Sequence, residues 1–208
     1  GELFVALKVD RDGHDFVQSA LKFGASGLLV SNEKSVAPNN PYVLCADTML
    51  GLESLGAAAR KRAILAKRIA ITGSVGKTTV KEPTASALAA SGKTHKSVKS
   101  YNNQWGVPLT LARMPQDSRF GVFEIGMNHA GEISRLSPQV RPHIAAITTG
   151  APVHIEHFQN IEAIADAKAE IFLGVEKGGT VIIPFDSSQA GRLMARARQP
   201  TRSNAAVT

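Results

Sequence analysis

Apolar and polar positions follow two regimes along the chain. Up to about residue 65 the apolar runs are short. Leu3-Phe4-Val5-Ala6-Leu7, Leu28-Leu29-Val30 and Tyr42-Val43-Leu44 have strand length, and the last two flank a Pro/Asn-rich loop at 38–41. Phe16 to Phe23 has helical spacing, with Phe16, Ala20 and Phe23 on one face, and Gly24 ends it. Thr48 to Arg60 predicts a second helix whose basic end suits the helix dipole. From about Ala66 the pattern becomes strand, glycine turn, helix, repeated. The predicted strands are Arg68 to Ile71, Phe120 to Ile125, His143 to Thr148 and Thr180 to Ile183. Helical spacing covers 78–90, 107–114, 160–174 and 188–197. Strands alternating with helices predict an α/β protein with a mostly parallel sheet, helices on both faces, and a smaller α/β domain before it. The predicted domains are 1–65 and 66–208.

Composition narrows the classes. The chain has 208 residues, 43% apolar and 20% charged, which excludes a disordered tail. No apolar run approaches the roughly 18 residues of a membrane helix, so no membrane insertion is expected. A single cysteine, Cys45, excludes an internal disulfide framework and a Cys-rich zinc site. The formal net charge is +7, but the basic residues fall in three separate groups. These are Arg60-Lys61-Arg62 with Lys67-Arg68; Lys93, Lys96 and Lys99; and Arg192, Arg196 and Arg198. The aromatics do not interleave with them, so no nucleic-acid platform is expected. The charge fits either a solvated surface or a cleft that attracts an anionic small molecule such as a nucleotide. Gly1-Glu2-Leu3-Phe4 reads as mid-strand, and apolar periodicity is lost over the last ten residues. Both ends are therefore expected to be truncations.

The strongest local signal is Ile69-Ala70-Ile71-Thr72-Gly73-Ser74-Val75-Gly76-Lys77-Thr78-Thr79. A buried strand enters a Gly/Ser turn, and Gly-Lys-Thr opens a helix. Such a turn aims successive backbone N–H groups at phosphate oxygens. Lys77 would reach the outer phosphates and Thr78 would offer its hydroxyl to Mg²⁺. The usual spacing places a glycine where Ile71 stands, so this is a variant loop with its tight turn at Thr72-Gly73. The competing reading is a capped helix with a solvated Lys77. Pro83 falls about two turns into the helix and predicts a kink there.

Three further residues carry candidate chemistry. Glu124 ends the strand Val122-Phe123-Glu124, on the edge of the sheet where ligands bind in open α/β folds. It is either a Mg²⁺ carboxylate or a solvent-facing strand end. His154 follows the next strand, beyond Gly150-Ala151-Pro152, on the same edge. It is either a ligand or a structural loop histidine. Lys168 lies within an apolar helical stripe made by Ile161, Ile164, Ile171 and Phe172, while Glu162, Asp166 and Glu170 point elsewhere. It either snorkels or is held in a site, where burial would free its amine for chemistry.

Together these segments resemble the Mur ligase family. The resemblance rests on Thr72 to Glu82, on Tyr101-Asn102-Asn103-Gln104-Trp105-Gly106-Val107-Pro108-Leu109-Thr110-Leu111, and on Phe123-Glu124-Ile125-Gly126-Met127-Asn128-His129-Ala130-Gly131-Glu132-Ile133. Gly13-His14-Asp15-Phe16 resembles the family's N-terminal substrate domain, which holds the uridine nucleotide. The Tyr101 segment favours the branch that joins D-alanyl-D-alanine to UDP-N-acetylmuramoyl-tripeptide. That branch is cytoplasmic and makes peptidoglycan precursors. The resemblance implies ATP cradled by Gly73, Ser74, Val75, Gly76, Lys77, Thr78 and Thr79. It implies Mg²⁺ at two sites: Thr78 and Glu124 hold one ion, and His154 helps to hold the second. Lys168 matches the family's carbamylated lysine, and Lys77, Glu124, His154 and Lys168 form the implied catalytic set. Asn102 and Asn103 would face substrate or phosphates, or form a plain Asn turn. A monomer is expected.

The resemblance also implies absences. The family's first N-terminal strands, the rest of the ATPase domain and the C-terminal domain are not in this sequence. Pro83, Gly150 and the Ile183-Pro184-Phe185-Asp186 turn depart from its pattern, and the isolated chain is not expected to ligate. The alternatives are another Mur-type ligase, a non-catalytic or decayed nucleotide-binding fragment, and a P-loop GTPase or kinase. The last would need base-specificity or substrate-hydroxyl motifs that do not occur here.

Overall fold

A computed structural model describes residues 1–148, 158, 160–199 and 206–207. The chain divides into two compact units, Gly1–Leu55 and Gly56–Thr208. The division falls inside a helix, upstream of the expected boundary at 65/66.

The first unit holds a three-stranded parallel sheet, β1 (Leu3–Val5), β2 (Gly27–Val30) and β3 (Tyr42–Leu44), in that order. A 3₁₀ turn at Gly13–Phe16 leads into α1 (Val17–Lys22). Ala6, Val17, Leu28 and Val30 form the core of this unit. His14 is buried. Its Nδ1 lies 2.6 Å from Asp12 Oδ1, and its Nε2 accepts from the Ser31 N–H at 2.9 Å. Phe23 does not share the apolar face expected for it. The helix ends at Lys22, the backbone turns through Gly24 at φ +91°, and Phe23 is left 91% exposed. α2 (Thr48–Arg62) carries the chain from the first unit into the second. Asp47 caps its start, with Oδ1 accepting from the N–H groups of Met49 and Leu50.

The second unit is a six-stranded sheet of β4 (Lys67–Thr72), β5 (Thr94–Lys96), β6 (Phe120–Glu124), β7 (Ile144–Ile147), β8 (Thr180–Ile182) and β9 (Ala206–Val207). Its order is β5-β6-β4-β7-β8-β9 and every ladder is parallel. The helices are α3 (Lys77–Ala89), α4 (Gly106–Ala112), α5 (Glu132–Val140), α6 (Ile161–Ala169) and α7 (Ala190–Arg198). Strand alternation sorts the core onto two faces. Ile69, Ile71 and Val122 pack with Ala85 of α3. Ala70, Phe123, Ala145 and Val181 pack with residues of α4, α5, α6 and α7. Helices thus cover both faces, as the alternation of strands and helices requires.

Two elements lack a strong signal in the sequence. β5 is a three-residue edge strand of polar residues, Thr94-His95-Lys96. α5 contains Pro138, which reads as a breaker, yet it buries Ile133, Leu136 and Val140 along one face. The single helix expected over 160–174 is α6 followed by a 3₁₀ stretch at Glu170–Gly174. α3 also runs unbroken through Pro83. Pro83 and Thr79 both lie on its exposed face, so water can reach the carbonyl that Pro83 leaves without a donor. No described helix is long and apolar enough to cross a membrane.

Candidate functional site

The order of the second sheet places β4 between strands whose onward connections diverge. From β4 the chain crosses to β5 on one side, and from β7 it continues to β8 on the other. Ligands of open α/β sheets bind beyond the carboxyl ends of strands at such a point. The loop after β4, the end of β6 and the residue after β7 meet there.

The loop residues 73–76 take the shape that the glycines permit. Gly76 has φ +82° and immediately precedes α3. Gly73 passes so close to Thr148 that a Cβ would lie 2.0 Å from Thr148 Oγ1. Thr148 in turn donates to the Val75 carbonyl at 2.6 Å, and its N–H donates to the Thr72 carbonyl. Lys77 Nζ donates to the Gly73 carbonyl at 2.8 Å and lies 3.5 Å from that of Ser74. Burial pushes the Lys77 amine below its usual range, against the opposing pull of the Glu124 charge.

Glu124 is the hub. It is 1% exposed at the end of β6, and both carboxylate oxygens are engaged. Thr78 Oγ1 donates to Oε2 at 2.8 Å and Asn102 Nδ2 donates to Oε1 at 2.7 Å. Lys81 Nζ lies 3.6 Å from Oε2. The Glu124 N–H donates to Ser97 Oγ at 3.1 Å. Asn102 is also held by its backbone, since its carbonyl accepts from the Gly126 N–H at 2.8 Å. Gly126 has to be glycine for this approach, because a Cβ there would come within 2.8 Å of Asn102 Oδ1. Asn103 has a different place. Its Oδ1 accepts from the Gly106 N–H at 2.9 Å, forming an Asn turn ahead of α4.

Lys168 lies on α6, 2% exposed. Asn160 caps this helix, its Oδ1 accepting from the Ala163 N–H. Asp166, on another face, is clamped by Arg192 and Arg196 of α7. Glu170 accepts from the N–H groups of Gly131 and Ser134 at the start of α5. Lys168 forms no hydrogen bond or ion pair with a described residue. Burial first, and then the positive charge of Lys77, together push its amine down to about 8. His154 lies outside the described residues, as does Gly150.

The structure therefore brings Lys77, Thr78, Glu124 and Asn102 together, with Lys168 close enough to feel Lys77. Lys81, Ser97 and Thr148 belong to the same constellation and were not singled out by the sequence patterns. Lys81 alone had a signal, because it falls one turn after Lys77 and one turn before buried Ala85. The donor set of one carboxylate and one hydroxyl suits a hard cation that brings water and phosphate oxygens as its other ligands.

The model of the Mur ligase middle domain matches residues 71–207. The UDP-N-acetylmuramoyl-tripeptide–D-alanyl-D-alanine ligase of Rickettsia prowazekii (strain Madrid E) is 39% identical over 195 residues, covering 94% of this chain and 43% of that protein. The enzyme of that name from Escherichia coli (strain K12) is 40% identical over 189 residues, covering 90% and 41%. A crystal structure of MurF from Acinetobacter baumannii superposes on the whole chain and 45% of its own, with TM-score 0.86 and 32% identity. MurF from Thermotoga maritima, solved in complex with ADP, does so with TM-score 0.78 and 25% identity, covering 100% of this chain and 47% of its own. The chain thus spans less than half the length of these relatives. With the middle-domain match running over most of this chain, relatives 39% and 40% identical along nine-tenths of it, and the phosphate loop and Glu124 inside the match, this chain belongs to the Mur ligase family.

Proposed function

We propose that the protein joins D-alanyl-D-alanine to UDP-N-acetylmuramoyl-tripeptide at the expense of ATP, forming ADP and phosphate, in cytoplasmic peptidoglycan precursor synthesis. In this reading residues 66–208 are the nucleotide-binding part, and residues 1–65 belong to the domain that holds the UDP-sugar peptide. The observation that carries it is the hydrogen bond between Thr78 on the phosphate loop and Glu124 at the end of β6. It puts a hydroxyl and a carboxylate together beside the loop that would hold the phosphates.

The chemistry has two steps. A carboxylate oxygen of the tripeptide attacks the γ-phosphorus, the bond to the β–γ bridging oxygen breaks, and ADP leaves. The amine of D-alanyl-D-alanine then attacks the acyl carbon of the acyl phosphate, phosphate departs and the amine loses a proton. Phosphoryl transfer gains mostly from positioning and from charge placed around the moving group. The N–H groups of 73–78 would orient the phosphates, and Lys77 would exchange its loop carbonyls for outer phosphate oxygens. Thr78 and Glu124 would hold Mg²⁺, which offsets phosphate charge when bound. His154 would contribute to a second ion.

Lys168 would act as a carbamate. Reaction of its neutral amine with CO₂ forms an N–C bond and releases a proton, turning a cation into an anionic oxygen ligand. At pH 7.5 roughly a quarter of amines with the Lys168 value are neutral, against roughly one in a thousand for an ordinary lysine. Asn102 would orient Glu124, and Asn103 would shape the adjoining turn.

Calorimetry of Mg²⁺·ATP with this chain and with Lys77→Ala tests the nucleotide site. Saturable binding that the variant loses is the expected result. Absence of binding by the unaltered chain would overturn a working nucleotide site in this chain, and the whole protein's reaction would then rest on the second test. For the whole protein, ADP release should require both the UDP-tripeptide and D-alanyl-D-alanine, and release with glutamate or another single amino acid instead would redirect the assignment to a sister ligase.

A further inference from the structure

Lys81 is fully buried, at 0% exposure, yet it lies outside the phosphate loop and the chemistry above does not use it. It sits one turn beyond Lys77, where α3 faces the sheet. Its Nζ donates to the Lys99 carbonyl at 2.7 Å, and lies 3.3 Å from Glu82 Oε1 and 3.6 Å from Glu124 Oε2. An ammonium is costly to bury unless it is paired and hydrogen-bonded, and here both conditions are met. Glu82 is itself paired with Lys96 of β5, so Glu124 is the buried partner.

The carbonyl that Lys81 holds is unusual. Lys99 has φ +50°, a left-handed conformation that is uncommon for non-glycine residues. From Lys99 the backbone turns tightly, with the Tyr101 N–H donating to Val98 and the Asn102 N–H to Ser100. This turn delivers Asn102 Nδ2 to Glu124 Oε1. Lys81 therefore touches Glu124 on one oxygen and, through Lys99, fixes the segment that grips the other.

We propose that Lys81 is a positioning residue for Glu124. It pins the Lys99–Asn102 turn against the end of β6, and its charge offsets the carboxylate while no cation is bound there. Zero exposure means that no solute reaches Lys81 itself, so it acts through Glu124 and Asn102. The inference rests on the proposed nucleotide site.

The test is ATP binding to the 208-residue chain, measured by calorimetry once with Mg²⁺ and once with EDTA, together with amide exchange over 99–103. Outer partners of metal ligands typically contribute about 10–100-fold to affinity, and Lys81→Met should weaken Mg²⁺·ATP by that factor. Binding in EDTA should be unchanged, the amides of Asn102 and Asn103 should exchange faster, and Lys81→Arg should restore most of the loss. A merely structural lysine would weaken binding equally with and without Mg²⁺, and that result overturns the proposal, as does wild-type Mg²⁺·ATP affinity in Lys81→Met. If Lys81→Met does not melt cooperatively, Lys81→Gln takes its place under the same criteria. No ATP binding by the unaltered chain would overturn the nucleotide site and this inference with it. A variant indistinguishable from a chain that does bind overturns the inference alone.

Discussion

Thr78 Oγ1 donates to Glu124 Oε2 at 2.8 Å across a sequence separation of 46 residues. The hydroxyl proton is committed to the carboxylate, while the oxygen keeps its lone pairs for a cation. Thr78→Val preserves the side-chain shape and removes that oxygen. The expected outcome is a roughly tenfold or greater loss of Mg²⁺·ATP affinity, with the melting temperature little changed. Calorimetry beside a thermal melt checks both halves.

Gly73 should tolerate no side chain. In Gly73→Ala the new Cβ would meet Thr148 Oγ1 at 2.0 Å, and the loop has to move. Strain of this kind costs about 1–3 kcal/mol. ATP binding should weaken sharply, and Thr148→Ala in the Gly73→Ala background should recover part of the lost stability by removing the hydroxyl. A Gly73→Ala chain with wild-type affinity and melting would contradict the close approach.

Lys168 sets stability against function. Below pH 8 the folded chain must hold a charged amine in an apolar setting, whereas above its ordinary value of 10.5 both states are neutral. Stability therefore rises with pH between those values. Lys168→Met should be more stable by about 1–3 kcal/mol at pH 7, an advantage that fades above pH 8. The same substitution should abolish ligation by the whole protein. In the unaltered protein supplied with ¹³C-bicarbonate, a carbamate carbon signal is expected that is absent from Lys168→Met.

His143 should make the chain acid-sensitive. Its Nδ1 accepts from the Arg68 N–H at 3.1 Å, a role open only to the unprotonated nitrogen. Burial, then the charges of Arg68 and Lys67, push it from 6.5 to about 4. The unfolded chain takes up a proton that the folded imidazole refuses, so stability is full above pH 6.5 and falls as the pH drops towards 4. Urea midpoints across this range should decline, and His143→Asn, which retains an acceptor and does not titrate, should flatten the decline.

The parts of the site that lie along one element were legible in the sequence. The strand, turn and helix of 69–79 announce themselves by apolar run, glycine and Gly-Lys-Thr, and Lys168 stood out because a cation broke an apolar stripe. What pairing decides was not legible. Lys81 is an ordinary-looking helical lysine until β6 and the 97–102 turn close over it. Asn102 and Asn103 are adjacent and identical in type, yet one grips Glu124 and the other makes a local turn. Thr94-His95-Lys96 has no apolar pattern because an edge strand needs little of it. Pro138 hid α5, whose other residues have strongly helical spacing.

Lys77 bonds to the carbonyls of its own loop, and this bears on how a nucleotide would enter. The carbonyls of Gly73, Ser74 and Val75 all find donors within the chain itself, from Lys77 and Thr148. Binding is then a substitution in which one set of hydrogen bonds replaces another. The heat of nucleotide binding should then report a difference between two well-bonded states, smaller than the heat of forming the phosphate contacts alone. An amine tethered at the mouth also moves only a short way to reach phosphate, which favours rapid capture over slow rearrangement.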